Sequence, residues 1–125
     1  MIIEQVPGEY SVCRLPAGAK EPAWFRQESF YAVVQTTEEL SVVCASDVVP
    51  PEIKAEHGWS LLKVAGPLDF SETGVLSSLA GPLAAANISI FVVSTYDTDY
   101  LLVKTDMLGH AVKTLQAAGH QIISI

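Results

Sequence analysis

Residues 66–104 read GPLDFSETGVLSSLAGPLAAANISIFVVSTYDTDYLLVK, and this stretch decides the fold. Its order predicts a loop, an amphipathic helix, a strand, an acidic turn and a returning strand. The two connecting segments, 66–74 and 94–99, are both rich in hydroxyl and carboxylate side chains. If the protein binds a small ligand, these segments are where it is expected to bind.

The predicted helix begins near residue 71 and ends near residue 86. Asp69 and Ser71 are both candidates for its N-cap, because each side-chain oxygen can accept from a free N–H of the first turn. Pro82 removes the hydrogen bond to the carbonyl of Ser78, which predicts a kink or a break. An apolar stripe at helical spacing predicts the buried face: Leu76, Leu79, Leu83 and Ala86.

The flanking sequence completes the secondary-structure prediction. Strands are expected at 10–15, 30–35, 40–44, 59–65 and 120–125, and a second helix starts at Thr105 or Asp106. Residues 1–9 are predicted to be a lead-in, and residues 52–56 a helical turn that Gly58 ends. The second half then has the order strand, helix, strand, strand, helix, strand, which is the split βαβ order.

Composition and charge exclude several classes of function. Fourteen acidic and seven basic residues give a net charge of −7, and no basic cluster exists, which argues against nucleic-acid and anionic-membrane partners. No apolar run is long enough to span a bilayer, and the first ten residues lack the features of a signal peptide. A cytoplasmic protein is expected.

The chain offers no motif for catalysis or metal binding. His57, His110 and His120 stand apart without ligand spacing, and no nucleophile with a base is recognisable, so neither a cofactor nor enzymatic activity is expected. Cys13 and Cys44 each lie in an apolar, strand-like run. Two free buried thiols are predicted, and a disulfide remains possible if the strands are adjacent.

The sequence contains a weak internal repeat. A shift of 59 positions aligns residues 30–49 with 89–108 without a gap. We interpret this as two related units, 1–56 and 57–125, the first with a shorter first helix. The repeat leaves open which unit contains residues 59–65. Four identities support the alignment, Val33, Val34, Thr36 and Asp47 falling on Val92, Val93, Thr95 and Asp106.

Three segments resemble the ACT domain, a regulatory module that binds amino acids: residues 66–74, 82–90 and 94–103. The set is similar to bacterial stand-alone tandem-ACT proteins and to the ACT repeats of eukaryotic cytosolic arginine sensors. The resemblance extends over residues 59–119. It implies an α+β fold of two ACT-like, ferredoxin-like βαββαβ units, with antiparallel sheets, helices on one face and a degenerate N-terminal unit.

The resemblance also implies a ligand site. The loop before the first helix would hold the amino-acid backbone, the strand edge would close the pocket, and Glu72, Asp97 and Asp99 are candidates to meet a cationic end. Acidic surroundings favour a basic or small polar amino acid. The site usually lies between two ACT units, so a homo-oligomer or a partner protein is expected. The predicted ligand-binding residues are Asp69, Glu72, Thr73, Gly74, Thr95, Tyr96 and Asp99.

Purely structural roles are the alternative for these residues. Asp69 would only cap the helix, Gly74 would only allow close packing, and Asp97 and Asp99 would be solvated turn residues. Under that interpretation the protein is an interaction or dimerisation module that has lost ligand binding.

Overall fold

The structure is a computed structural model that describes residues 1–27, 30–69 and 73–125, with only the backbone of residues 26 and 27. It contains three 3₁₀ turns, Trp24–Gln27, Ser46–Val48 and Thr105–Met107. The strands are β1 (Ile2–Pro16), β2 (Ala32–Gln35), β3 (Glu39–Ala45), β4 (Lys54–Val64), β5 (Ile90–Ser94), β6 (Asp99–Lys104) and β7 (Gln121–Ser124), and the helices are α1 (Val75–Ala85) and α2 (Leu108–Ala117).

One unit, called here the C-terminal unit, contains residues 1–7 and 60–125. Its strands lie in the order β7, β1, β4, β6, β5. β5 and β6 form an antiparallel hairpin in which Ser94 is opposite Asp99. β7 pairs with the start of β1 in parallel, Ile3 lying opposite Ile122. The predicted α+β fold with mostly antiparallel strands and two helices is confirmed.

The helices of the C-terminal unit cover one face of its strands. Alternate residues of β4 and β6 point to this face, as the two-residue period of a strand requires. Hydrophobic burial against α1 and α2 holds the layers together. The buried core contains Ile3, Leu62, Val64, Leu79, Leu83, Ile88, Leu101, Val103, Ala111 and Leu115.

The N-terminal unit, residues 8–59, has its own small core. β2 and β3 form the predicted hairpin, and β3 pairs antiparallel with β1, so that Tyr10 lies opposite Ala45. Trp24–Gln27 form a 3₁₀ turn in this unit. Its core consists of Cys13, Phe25, Val42 and Cys44.

The two cysteines are free thiols, as the sequence predicts. Ser11 lies opposite Cys44 in the ladder and Cys13 lies opposite Val42, so the thiols are diagonal neighbours on one face. A hydrogen bond from the thiol of Cys44 lowers the pKa of Cys13, and this effect outweighs burial, which raises it.

Two predictions for the first sixty residues are wrong. Residues 1–9 are not a lead-in, because β1 begins at Ile2 and is held by long-range pairing with β7 that the local sequence does not reveal. Residues 52–56 are not a helical turn that Gly58 ends, because β4 begins at Lys54 and continues through Gly58. The missed signal is the alternation of the half-buried Ile53 and Ala55 with exposed neighbours.

Two predictions for the first helix are also wrong. α1 begins at Val75, and its N-cap is Gly74 in the left-handed conformation at φ +76°, so Asp69 does not cap it. Ser71, the other N-cap candidate, lies outside the described residues. α1 continues through Pro82 to Ala85, so the helix does not break there, and the alternative of a kink at Pro82 stays a prediction. Asn87 adopts φ +60° just after the helix, as expected from its ability to end one.

The interruption at Pro82 is compensated by a side chain from a distant part of the chain. Pro82 has no N–H for the carbonyl of Ser78. That carbonyl instead accepts from Nε2 of the buried His120 at 3.0 Å. A carbonyl can only accept, so Nε2 carries the proton. The sequence shows that Pro82 cannot donate to Ser78, but it does not show that His120 takes its place.

The strand assignment that the repeat left open is now resolved. Ser60–Val64 of β4 belong to the C-terminal unit, together with the rest of the chain to Ile125. The boundary at residue 56 between the two predicted repeat units is a separate question from the compact units, and it stays a prediction.

Candidate functional site

The loop after β4 is fixed against the β5–β6 turn. The Gly66–Pro67 peptide bond is cis, and the N–H of Leu68 donates to the carbonyl of Asp97 at 2.6 Å. A Cβ on Gly66 would lie 3.1 Å from that carbonyl oxygen and 3.2 Å from Cβ of Thr98. Only glycine therefore allows this close approach without a shift of the neighbouring backbone.

The β5–β6 turn is closed by its own threonines. The N–H of Thr95 donates to the carbonyl of Thr98 at 2.8 Å, and Oγ1 of Thr95 accepts from the N–H of Thr98 at 3.2 Å. Thr98 is buried, and its Oγ1 donates to the carbonyl of Val64 at 2.6 Å. These bonds connect the turn to the end of β4 and give it a defined geometry.

A cavity of about 220 Å³ lies where the loop, the turn and the start of α1 meet. We call it the acidic cavity. Its charged side chains are three carboxylates, and none of the described residues that line it is basic. Oδ1 of Asp99 accepts from Oγ of Ser94 across the hairpin at 2.6 Å. The lining consists of Leu68, Asp69, Val75, Ser94, Thr95, Tyr96, Asp97, Thr98 and Asp99.

The structure brings four of the seven predicted ligand-binding residues to this cavity: Asp69, Thr95, Tyr96 and Asp99. Tyr96 is 80% exposed, so it lies at the rim rather than in the wall. Thr73 and Gly74 are exposed and do not line the cavity. Glu72 lies outside the described residues.

The structure does not support the close-packing role that was the structural alternative for Gly74. A Cβ at this position would meet only Oγ of Ser77, at 3.8 Å, so close packing does not require glycine. The positive φ does, because glycine adopts it without steric cost. Gly74 therefore sets the direction in which α1 starts, and Val75, the next residue, lines the cavity.

The sequence interpretation missed four lining residues, Leu68, Val75, Ser94 and Thr98. Ser94 could have been found from the hairpin register, since a turn of four residues places it opposite Asp99. Leu68 and Val75 contribute apolar side chains to the wall of the cavity, and the sequence does not distinguish them from other apolar residues.

A second cavity, of about 330 Å³, lies beside the same turn. We call it the Lys63 cavity. Nζ of Lys63 is 6.0 Å from the centroid of the Tyr100 ring. The lining consists of Lys63, Gly66, Pro67, Thr95, Asp97, Thr98 and Tyr100.

Two further properties of the described residues bear on function. They contain no group of three His, Cys, Asp or Glu side chains that could hold a metal ion. None of their helices has both the length and the apolar character needed to cross a membrane.

Comparison with known proteins identifies the family. A model of the ACT domain matches residues 54–117, just over half of the chain. This chain belongs to the ACT domain family. A second family model, which describes an N-terminal domain, matches residues 8–52 of this ACT protein. The predicted resemblance is confirmed.

The similar proteins include an arginine sensor and a bacterial protein of known structure. Subunit 1 of the cytosolic arginine sensor for mTORC1 from Homo sapiens is 42% identical over 59 residues, which are 46% of this ACT protein and 18% of the sensor. The chain thus spans less than a fifth of that relative. The crystal structure of protein Atu0741 from Agobacterium tumefaciens has a TM-score of 0.94 and 38% identity, covering 99% of this chain and 92% of that one.

More distant structures share the fold alone. Aspartate kinase from Clostridium acetobutylicum, described as an allosteric enzyme, has a TM-score of 0.65 at 14% identity. The match covers 90% of this ACT protein and 33% of the kinase.

Proposed function

We propose that this ACT protein is a non-catalytic regulator that binds a free amino acid in the acidic cavity. The observation that carries the proposal is the grouping of Asp69, Asp97 and Asp99 around one cavity at the start of α1. Membership of the ACT family and similarity to an arginine sensor support the class of ligand.

The charges of the cavity favour a cationic group. Carboxylates hold ammonium and guanidinium groups by charge-assisted hydrogen bonds, which are about twice as strong as neutral ones. No basic residue among the described lining residues competes for Asp97 or Asp99. A basic amino acid is therefore the favoured ligand, and L-arginine is the first to test.

The ligand carboxylate has a suitable partner at α1. The first N–H groups of a helix lack intrahelical acceptors, and the helix dipole favours a negative charge there. Val75 begins α1 and lines the cavity, so the helix N-terminus and the carboxylates border the same space. An amino acid can satisfy both with its two charged ends.

Binding would act by changing an equilibrium between conformations or assemblies. A ligand shifts such an equilibrium only by its difference in affinity for the two states. We infer that the states differ at an interface with a second copy or a partner protein. The regulator would operate in the cytoplasm, as its arginine-sensing relative does by name.

Isothermal calorimetry against the twenty amino acids tests the proposal. We expect heat of binding from at least one basic amino acid, with L-arginine tested beside agmatine, which lacks the carboxylate. Weaker binding of agmatine is expected, because it cannot use the α1 N-terminus. A silent panel from protein shown by circular dichroism to be folded would remove the proposal.

A second candidate is an interaction module without a ligand. Its support is Val34, which is 59% exposed on β2, and β2 pairs only with β3 among the strands that the structure describes. An open strand edge with apolar side chains favours association. Light scattering that shows an assembly, together with a silent amino-acid panel, would favour this candidate.

We also infer that the chain is a tandem repeat with its boundary near residue 56. The N–H of Thr36 donates to the carbonyl of Glu39 at 2.9 Å, and in the same way the N–H of Thr95 donates to the carbonyl of Thr98 at 2.8 Å. The 3₁₀ turns Ser46–Val48 and Thr105–Met107 have the same 59-residue spacing. A Ser11–Ser46 hydroxyl contact of 2.8 Å corresponds to a Ser60–Thr105 contact of 3.0 Å.

A further inference from the structure

The Lys63 cavity and the acidic cavity are on opposite faces of the C-terminal strands. Leu62 and Val64 pack in the core with the helices, so the side chain of Lys63 between them points to the other face. The same alternation in β6 places Asp99 on the helix side and Tyr100 on the far side, because Leu101 is in the core. The two cavities are therefore separate spaces on either side of the β5–β6 turn.

The Lys63 cavity contains one charge of each sign. Lys63 is half-buried and its Nζ lies over the Tyr100 ring, a cation–π contact that holds the ammonium in place. Asp97 is the other charged lining residue. Among the residues that the structure describes, Lys63 forms no ion pair with a carboxylate. Opposite charges that face one space without pairing are the arrangement that a zwitterion can bridge.

Contacts of Gly66 and Thr98 hold the wall of the Lys63 cavity. Gly66 is in close contact with the carbonyl of Asp97 and with Thr98, and the hydroxyl of Thr98 is bonded to the carbonyl of Val64. Two sides of the cavity are therefore fixed by backbone contacts. Prior ordering of this kind lowers the entropic cost of binding.

We propose that the Lys63 cavity is a second ligand site, which takes a compact zwitterionic amino acid. The ligand carboxylate pairs with the ammonium of Lys63, and the ligand ammonium pairs with the carboxylate of Asp97. Because Asp97 lines both spaces, a ligand in one changes the charge available to the other.

Titration of ¹⁵N-labelled full chain with glycine, followed by nuclear magnetic resonance, tests the proposal. We expect saturable shifts of the amide signals of Lys63, Gly66 and Tyr100. Acetate and methylamine each keep one of the two charges, and both are expected to bind at least tenfold more weakly than glycine. Absence of saturable shifts at these amides would overturn the proposal.

Matched variants separate this site from the acidic cavity. Lys63→Met should weaken glycine binding at least tenfold, whereas Lys113→Met, which changes an exposed lysine of α2, should not. Asp97→Asn, at an exposed position, should also weaken glycine binding, and because Asp97 lines both cavities it should weaken L-arginine binding as well. Asp99→Asn should leave glycine binding unchanged while it weakens L-arginine binding. Glycine affinity that is insensitive to both Lys63→Met and Asp97→Asn would overturn the second site alone.

Discussion

The backbone N–H of Leu68 donates to the carbonyl of Asp97 at 2.6 Å and thereby joins the loop after β4 to the β5–β6 turn. This bond connects two segments that are almost thirty positions apart in the chain. Both candidate cavities lie against the joined segments. The geometry of either site therefore depends on a backbone contact, while its charge depends on the side chains around it.

Gly66→Ala should destabilise the protein, because the added Cβ would meet backbone at 3.1 and 3.2 Å. Overpacking against atoms that cannot easily move typically costs about 1–3 kcal/mol of unfolding free energy. Urea unfolding gives the measurement. Gly109→Ala is the control, because nothing lies within 4 Å of its Cβ position and α2 gains up to about 1 kcal/mol from alanine. Equal effects of the two substitutions would contradict the close approach.

His120→Ala should cost about 1–3 kcal/mol, because the carbonyl of Ser78 loses its donor. His110→Ala, which removes an exposed ring, should change the unfolding free energy by less than about 0.5 kcal/mol. In a Pro82→Ala background the helix again supplies an N–H to Ser78. The cost of His120→Ala should then be smaller, and a double-mutant cycle measures the difference. An unchanged cost would mean that the bond to Ser78 contributes nothing, and that His120 acts by packing or through the 3.2 Å contact of its Nδ1 with the N-terminal ammonium of Met1.

The lowered pKa of Cys13 predicts a pH dependence of stability. The folded chain releases this proton before the unfolded chain does, so stability rises as the pH rises past the folded pKa. This contribution is complete above the unfolded pKa and is lost as the pH falls through the folded pKa. Cys44→Ala removes the hydrogen bond that lowers the pKa and should abolish the rise. Urea unfolding in reducing buffer between neutral and alkaline pH checks this, and an equal rise in the variant would contradict it.

Asp99→Asn should weaken binding of L-arginine at least tenfold, because it removes a charge from the acidic cavity and retains the shape of the side chain. Asp106→Asn is the matched control, since Asp106 is an exposed acid at the start of the turn before α2. Calorimetry on the folded variants gives the ratio of affinities. Similar losses in both variants would show that net charge, and not this cavity, determines binding.

The local pattern was sufficient to predict the hairpins and helices of the C-terminal unit. The apolar stripe with Leu79 and Leu83 predicted the buried face of α1, and both residues are in the core. The parallel pairing of β1 with β7 was not predictable, because it joins the two ends of the chain. The hydrogen bond from His120 to the carbonyl of Ser78 was not predictable either, because 42 positions separate the two residues.

The candidate site was predictable in its chemistry more than in its members. Asp69, Thr95, Tyr96 and Asp99 were selected as polar residues of two loops, and the fold places them at one cavity. The start of α1 was placed too early, because a side-chain cap was expected where Gly74 begins the helix by its backbone conformation. The Lys63 cavity was missed because a lysine within a strand gives no sign of which face it occupies.

A crystal structure of the protein grown with L-arginine, or with whichever amino acid gives the strongest calorimetric signal, tests the central claim most directly. Ligand density is expected in the acidic cavity. The cationic end should lie within hydrogen-bond distance of Asp97 or Asp99, and the carboxylate should face the start of α1. Ligand density confined to any other surface, or an empty acidic cavity at a saturating ligand concentration, would contradict the account.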